Sequence, residues 1–192
     1  MSKAHTKLIL ASASPRRKEL LARLGVEFEI KVANIDETRL KNETPIEMTE
    51  RLALGKAMVI FKQQNAWVLG ADTTVALGNK VFGKPESKAQ AFDTIKLLSG
   101  NTHQVISSVS LIGIGFCATR SHVSNVRFGK LSDEMIKVYC HSDEPYDKAG
   151  SYGIQGLAGA FVEHIDGDYS AIVGLPLWTT AQLLRTAGLI TA

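Results

Sequence analysis

The sequence of 192 residues contains only two cysteines, Cys117 and Cys140, which are neither adjacent nor part of a Cys-x-x-Cys pair. Two cysteines do not make a disulfide framework, and this spacing argues against a structural zinc site. We expect both thiols to be buried or inert. The chain has five histidines: His5, His103, His122, His141 and His164. Because they show neither HxH nor HExxH spacing, we assign none of them to a metal or to catalysis.

Charge of one sign and long apolar runs are also scarce. The formal net charge is +3, and no run of Lys and Arg stands out, so we expect no nucleic-acid partner. The apolar run at residues 8–11 is too short for the core of a signal peptide, and no longer run could span a bilayer. We therefore expect no membrane partner and a cytoplasmic location. The composition, 45% hydrophobic and 21% charged, is typical of a globular chain with a real core.

No internal repeat, low-complexity tract or Pro/Gly/Ser-rich linker divides the sequence, so we expect residues 1–192 to form a single domain. Ser14 and Thr44 are each followed by a proline and predict the starts of two helices. Long β-type runs at residues 104–114 and 118–128 alternate with such helical segments. The pattern predicts an α/β fold with a mixed β-sheet flanked by helices.

Two β-hairpins are predicted from turn residues between apolar runs. The first covers residues 74–82 and turns at Gly78-Asn79, directly after a short strand at residues 67–71. The second covers residues 161–173 and turns at Asp166-Gly167.

Residues 12–17, with the sequence SASPRR, lie between a predicted strand and a predicted helix. The first turn of a helix presents free backbone N–H groups, and small hydroxyl residues such as Ser12 let a phosphate approach them. Arg16 and Arg17 add forked donors that match phosphate oxygens. A helix cap followed by solvent-facing arginines explains the same residues equally well.

Asp72 follows an apolar strand, where α/β proteins commonly place ligand-site residues, and it could bind a divalent cation or accept a proton from water. A turn-forming role is the alternative. Lys84 precedes Pro85 and is therefore held extended, which suits a phosphate contact. Lys84, Glu37 and Lys56 are equally consistent with ordinary solvated charges.

Residues 147–156, with the sequence DKAGSYGIQG, combine repeated glycines with a serine, a tyrosine and Gln155. Such a segment suits close approach of the backbone to a flat ligand, with the amide reading the edge of a base by paired hydrogen bonds. A glycine-rich surface loop is the alternative. The sequence has no Gly-x-Ser-x-Gly elbow, which disfavours a serine hydrolase.

Taken together and in order, these segments resemble the Maf family of nucleotide pyrophosphatases. The matching stretches cover nearly the whole chain: LASASPRRKELL (10–21), RLALGKA (51–57), LGADT (69–73), GKP (83–85), LSGNTH (98–103), KAGSYGIQG (148–156) and VGLP (173–176). The resemblance implies a two-lobed α/β fold with the nucleotide in a cleft between the lobes. It also implies hydrolysis of a nucleoside triphosphate between the α- and β-phosphates, a divalent cation (Mg or Mn) and a homodimer.

The resemblance further implies roles for individual residues. Asp72 would accept the proton of the attacking water, and Glu37 would join it near the cation. The residues expected to face phosphates share a hydroxyl or basic side chain: Ser12, Arg16, Arg17, Lys56 and Lys84. The residues that match positions used for substrate choice are Arg16, Thr73 and Gln155.

The segment around Gln155 is similar to the branch of the family that acts on dTTP and UTP. An amide both donates and accepts hydrogen bonds, as the edge of a pyrimidine requires, whereas a carboxylate would face two carbonyl oxygens. The alternatives are a pyrophosphatase for 7-methyl-GTP, a pyrophosphatase of the ITP/XTP type, and a nucleotide-binding regulator of cell division without catalysis.

Overall fold

Seven strands form one mixed sheet in a computed structural model that describes residues 7–191. The strands are β1 (Leu8–Ala11), β2 (Phe28–Ile30), β3 (Trp67–Leu77), β4 (Lys80–Phe82), β5 (Thr102–Gly113), β6 (Phe116–Phe128) and β7 (Val162–Asp166). Their order is β2-β1-β3-β5-β6-β7, with β4 paired to β3. β1 is parallel to β2 and β3, and the other pairs are antiparallel. The predicted mixed α/β fold is confirmed.

In residues 7–191, six α-helices accompany the sheet. They are α1 (Pro15–Ala22), α2 (Pro45–Phe61), α3 (Lys88–Leu98), α4 (Asp133–Cys140), α5 (Tyr169–Val173) and α6 (Leu177–Thr186). Short 3₁₀ turns occupy Glu144–Asp147, Ala149–Ser151 and Leu157–Phe161. Within residues 7–191, no helix is both long enough and apolar enough to cross a bilayer.

The predicted helix starts at Ser14 and Thr44 are confirmed. The Ser14 hydroxyl accepts a hydrogen bond from the backbone N–H of Arg17, and Pro15 occupies the first turn of α1. Thr44 and Glu47 form a capping box, in which each side chain accepts a hydrogen bond from the backbone N–H of the other residue. These caps satisfy N–H groups that have no partner inside the helix.

The first predicted hairpin is confirmed, but the strand before it does not end at Ala71. β3 runs without interruption from Trp67 to Leu77, so Asp72 lies in the middle of a strand and not at its end. The second predicted hairpin is wrong. β7 pairs with β6, and Tyr169–Val173 is the helix α5, because the carboxylate of Asp168 caps its first turn.

The buried apolar side chains form three clusters, which fall into two core regions. One lies between α3, α4 and the ends of β5 and β6, and includes Ile95, Phe128 and Ile136. The other covers both faces of the sheet around β1 and includes Leu10 on one face and Ile9 on the opposite face. This arrangement corresponds to the two lobes expected from the sequence.

Candidate active site

A cavity of about 950 Å³ lies between these two core regions. Its wall includes Val75 and Phe82 from one region and Ala11 and Val173 from the other. Every residue predicted to form the site lines this cavity: Ser12, Arg16, Arg17, Glu37, Lys56, Asp72, Thr73, Lys84 and Gln155. A concave site of this volume accommodates a small-molecule ligand.

The cavity opens at a gap along one edge of β3. β1 pairs with this strand only as far as Gly70, and β4 pairs with it only from Val75 onward. Among the described strands, none pairs with that edge across residues 71–74. Successive side chains of a strand project to opposite faces of the sheet. The gap therefore gives one cavity access to both Asp72 and Thr73.

On the face of the sheet covered by α2, Lys56 connects two carboxylates. Its Nζ atom lies 2.7 Å from Oδ1 of Asp72 and 2.7 Å from Oε1 of Glu37. The side chains of Lys56 and Asp72 are only 10% and 9% exposed, whereas that of Glu37 is 60% exposed. The ammonium group is thus the counter-ion of a buried carboxylate, that of Asp72, and of an exposed carboxylate, that of Glu37.

The backbone of β3 explains how α2 brings Lys56 to this position. A Cβ atom added to Gly70 would lie 2.2 Å from the carbonyl oxygen of Ala53 and 2.7 Å from the backbone nitrogen of Ala57. Any side chain at residue 70 would therefore push α2 away from the strand. The glycine permits direct contact between the helix and strand backbones.

On the opposite face, the start of α1 forms a second part of the wall. Ser14 donates its backbone N–H to Oγ of Ser12 at 3.2 Å, and Nη1 of Arg17 donates to the same oxygen at 3.3 Å. The segment thus combines a helix N-terminus, a hydroxyl and a guanidinium, which together suit an anion.

Arg17 is held mainly by protein acceptors. Besides Ser12, it donates from Nε to the carbonyl oxygen of Gly174 at 3.0 Å and from Nη2 to Oγ1 of Thr73 at 3.2 Å. Burial lowers the pKa of Arg17, while the nearby carboxylate of Asp72 acts in the opposite direction. Three of the five guanidinium N–H groups are used, so two remain for a ligand.

Two residues of this network were missed by sequence reasoning. Ser107 on β5 lies 2.9 Å from the hydroxyl of Thr73 and donates to the carbonyl oxygen of Ala171 at 2.6 Å. Gly174 supplies the acceptor for Arg17. Gly174 belongs to the VGLP stretch, which was a usable signal, whereas Ser107 is a serine within an apolar strand and gives none.

Residues from the segment 144–156 form another part of the wall. Arg16 reaches across the cavity, and its Nη1 lies 3.1 Å from Oδ2 of Asp147. Lys148 is ion-paired with the other oxygen of the same carboxylate. Gln155 and Lys84 are exposed at the mouth of the cavity.

Glu37 and Asp72 fit a hard divalent cation, because both present carboxylate oxygens and the two oxygens lie close together, each 2.7 Å from Nζ of Lys56. In the described chain, no cluster of three or more His, Cys, Asp or Glu side chains could hold a metal. A pair of carboxylates is the usual protein contribution where substrate phosphates complete the coordination of Mg²⁺.

None of the histidines in residues 7–191 lines the cavity. His103 is fully buried, its Nε2 lies 2.8 Å from the hydroxyl of Tyr152, and burial lowers its pKa to about 4. His164 is exposed on β7. His5 lies outside the described residues. Of the cysteines, Cys140 is buried as expected, but Cys117 is exposed.

Comparisons with known proteins agree with this geometry. A family model described as Maf-like protein matches residues 7–187. A dTTP/UTP pyrophosphatase of Hahella chejuensis is 48% identical, over 95% of this chain and 93% of the relative. A dTTP/UTP pyrophosphatase of Pseudoalteromonas translucida is 50% identical, over 92% and 95%. A solved HAM1 protein from Coxiella burnetii shares the fold, with a TM-score of 0.55 over 94% of this chain and 98% of that chain at 15% identity.

Proposed function

Because this chain belongs to the Maf family, we propose that it is a nucleoside triphosphate pyrophosphatase that converts dTTP and UTP to the monophosphate and pyrophosphate. Relatives that are 46–50% identical over nearly their whole length carry the name dTTP/UTP pyrophosphatase. The observation that carries the proposal is the charged triad Glu37–Lys56–Asp72 beside the start of α1, in one cavity.

In this proposal Asp72 is the general base. Its carboxylate lies at the gap in β3, where water and substrate both have access, and Lys56 orients it through a contact of 2.7 Å. The attacking water forms a new O–P bond to the α-phosphorus, the bond between that phosphorus and the oxygen bridging to the β-phosphate breaks, and a water proton passes to Asp72. The bridging oxygen leaves with pyrophosphate, where negative charge accumulates.

The basic and hydroxyl side chains of the cavity bind the phosphates. Arg16, Lys84 and Lys56 donate to phosphate oxygens and stabilise the charge on the leaving group. Ser12, the start of α1 and the two free N–H groups of Arg17 form a cradle for one phosphate. Arg16 contacts Asp147 through only one nitrogen of its guanidinium, so its other N–H groups remain for a phosphate.

Glu37 and Asp72 would hold a divalent cation, Mg or Mn. When bound, the cation would neutralise phosphate oxygens and lower the pKa of a coordinated water. Lys56 supplies part of that positive charge permanently, since it contacts both carboxylates. Two carboxylates facing a triphosphate would otherwise repel it.

Base recognition is assigned to Gln155, with Thr73 and Arg16 shaping the adjoining wall. The Gln155 amide donates one hydrogen bond and accepts another, which matches the alternating oxygen, N–H and oxygen edge shared by thymine and uracil. A purine such as 7-methylguanine or hypoxanthine presents a different edge, so the proposal favours pyrimidines over a 7-methyl-GTP or ITP/XTP substrate.

The test is product release from a panel of nucleoside triphosphates with Mg²⁺, with Mn²⁺ and with a chelator. Metal-dependent cleavage of dTTP and UTP to monophosphate and pyrophosphate is the expected result. Cleavage restricted to 7-methyl-GTP or ITP would keep the enzyme but overturn the role of Gln155. Binding of nucleotides without turnover would favour a regulator instead.

We also propose that residues 1–192 act as a single domain, as a homodimer and in the cytoplasm. Gel filtration with light scattering measures the oligomeric state directly, and a mass near the 20.8 kDa of one chain would rule out the dimer.

A further inference from the structure

We infer that Glu144 is a positioning residue that fixes Gln155 for base recognition, a role that rests on the proposed function. Glu144 begins the 3₁₀ turn Glu144–Asp147 and lines the cavity next to the segment that carries Gln155.

The carboxylate of Glu144 holds the backbone directly after Gln155. Its Oε2 accepts the backbone N–H of Leu157 at 2.7 Å, and its Oε1 accepts that of Ala158 at 3.2 Å. Hydrogen bonds from N–H groups to a carboxylate are stronger than those between neutral groups. The chain that follows Gln155 is therefore tied to a side chain thirteen and fourteen positions earlier in the sequence.

Gly156, directly after Gln155, makes room for this carboxylate. A Cβ atom on Gly156 would lie 2.2 Å from Oε2 of Glu144. Gly156 has a negative φ of −109°, so close approach of Glu144, and not an unusual backbone angle, is what requires glycine here.

The same carboxylate is anchored to the protein core. The hydroxyl of Tyr139 donates to Oε1 of Glu144 at 3.1 Å, and the ring of Tyr139 packs edge-on against Phe161 with centroids 5.1 Å apart. Burial raises the pKa of Tyr139, so its hydroxyl remains a donor. Glu144 therefore connects the backbone after Gln155 to the packed core.

This anchoring matters because the side chain of Gln155 makes no hydrogen bond to any residue in the part of the chain that the structure describes. Its position depends on the backbone that Glu144 holds. Glu144 itself is occupied by three protein donors, so it acts through Gln155 and does not read the base.

The test compares wild type with Glu144→Gln. The amide replaces one accepting oxygen with an NH₂ group, which confronts a backbone N–H and releases the loop. Glu163→Gln is the matched control, because Glu163 pairs with Arg127 at 2.9 Å on the surface, away from the cavity. The measurements are kcat and KM for dTTP, UTP and GTP, the inhibition constant of inorganic tripolyphosphate, and Tm.

We expect Glu144→Gln to raise KM for dTTP and UTP about tenfold, the equivalent of one lost hydrogen bond to a charged group. Tripolyphosphate has no base, so its inhibition constant should stay within about twofold of the wild-type value. The kcat for dTTP and UTP should also stay within about twofold, while the preference for these nucleotides over GTP decreases. Glu163→Gln should change none of these values.

Unchanged KM values in Glu144→Gln would overturn the role of Glu144. An equal rise in KM and in the inhibition constant of tripolyphosphate would overturn it as well. If Glu144→Gln does not fold, Gly156→Ala poses the same question, because its Cβ atom displaces the carboxylate. If wild type prefers a purine, the proposed pyrimidine preference fails, but the KM shift for the purine still tests Glu144.

Discussion

Nζ of Lys56 lies 2.7 Å from Oδ1 of Asp72, and both side chains are almost fully buried. Removing one member of a buried ion pair leaves an uncompensated charge, which usually costs several kcal/mol. Replacing the acid by its amide is milder, because the amide oxygen still accepts from Lys56. Stability and catalysis are therefore separable at this position.

Asp72→Asn should keep the fold and reduce kcat by about two to four orders of magnitude, the usual contribution of a positioned general base. Turnover of dTTP, together with the circular dichroism spectrum and Tm, measures both effects. Asp133→Asn is a suitable control, since Asp133 is an exposed partner of Lys96. Near-normal turnover by Asp72→Asn would remove Asp72 from the mechanism.

Gln155→Glu should reduce kcat/KM for dTTP and UTP by about 100-fold, because a carboxylate faces carbonyl oxygens and cannot donate a hydrogen bond to them. Gln155 is exposed, so the substitution should leave Tm unchanged. The measurement is kcat/KM across the nucleotide panel. An unaltered preference for pyrimidines would show that other residues select the base.

Ser107→Ala should reduce both stability and activity. Ser107 donates to Ala171, so its oxygen must accept the hydroxyl hydrogen of Thr73, and Thr73 in turn accepts from Arg17. Loss of this chain should cost about 1–3 kcal/mol of unfolding free energy and lower kcat/KM about tenfold through misplaced Arg17.

Ser110→Ala is the matched control for that variant. Ser110 is fully buried on the same strand, but it projects to the other face and bonds to Thr119 at 2.7 Å. Ser110→Ala should lose a comparable amount of unfolding free energy and keep the wild-type kcat/KM. Equal losses of kcat/KM in the two variants would mean that Ser107 does not position Arg17. Urea unfolding and steady-state kinetics distinguish the cases.

His103 should make the protein less stable as pH falls. Burial lowers its pKa from 6.5 to about 4, so below pH 6.5 the unfolded chain binds a proton that the folded chain does not. Stability is therefore lost as pH decreases from 6.5 toward 4, by about 2 kcal/mol between pH 6.5 and 5. Urea midpoints should show this slope in wild type and in His164→Gln, but not in His103→Leu.

Local sequence signals predicted the helix starts at Ser14 and Thr44 because a cap and its helix are a few residues apart. The site residues were predicted together because the family motifs are specific, and one cavity does contain them all. The prediction of a hairpin at Asp166-Gly167 also failed for a local reason. The same residues suit a turn before a helix cap, and only Asp168, which accepts from Ser170 at 2.7 Å, decides between the two.

Other features depend on contacts that no short segment reveals. The gap along β3 arises because β1 stops opposite Gly70 and β4 starts opposite Val75. The roles of Ser107 and Glu144 depend on partners at Ala171 and Leu157, which are brought near by the fold. A serine or a glutamate in a sequence does not by itself indicate such a role.

The two walls of the cavity have a consequence for adaptability. Bond cleavage is assigned to Asp72 on the sheet, whereas base choice is assigned to Gln155 on a loop that is held by its own anchor, Glu144. A substitution at Gln155 would therefore alter the contact with the base and leave Asp72 in place. Substitutions at Thr73 or Arg16 would also change the walls that carry the reactive groups, so the architecture separates base choice from bond cleavage only at the loop.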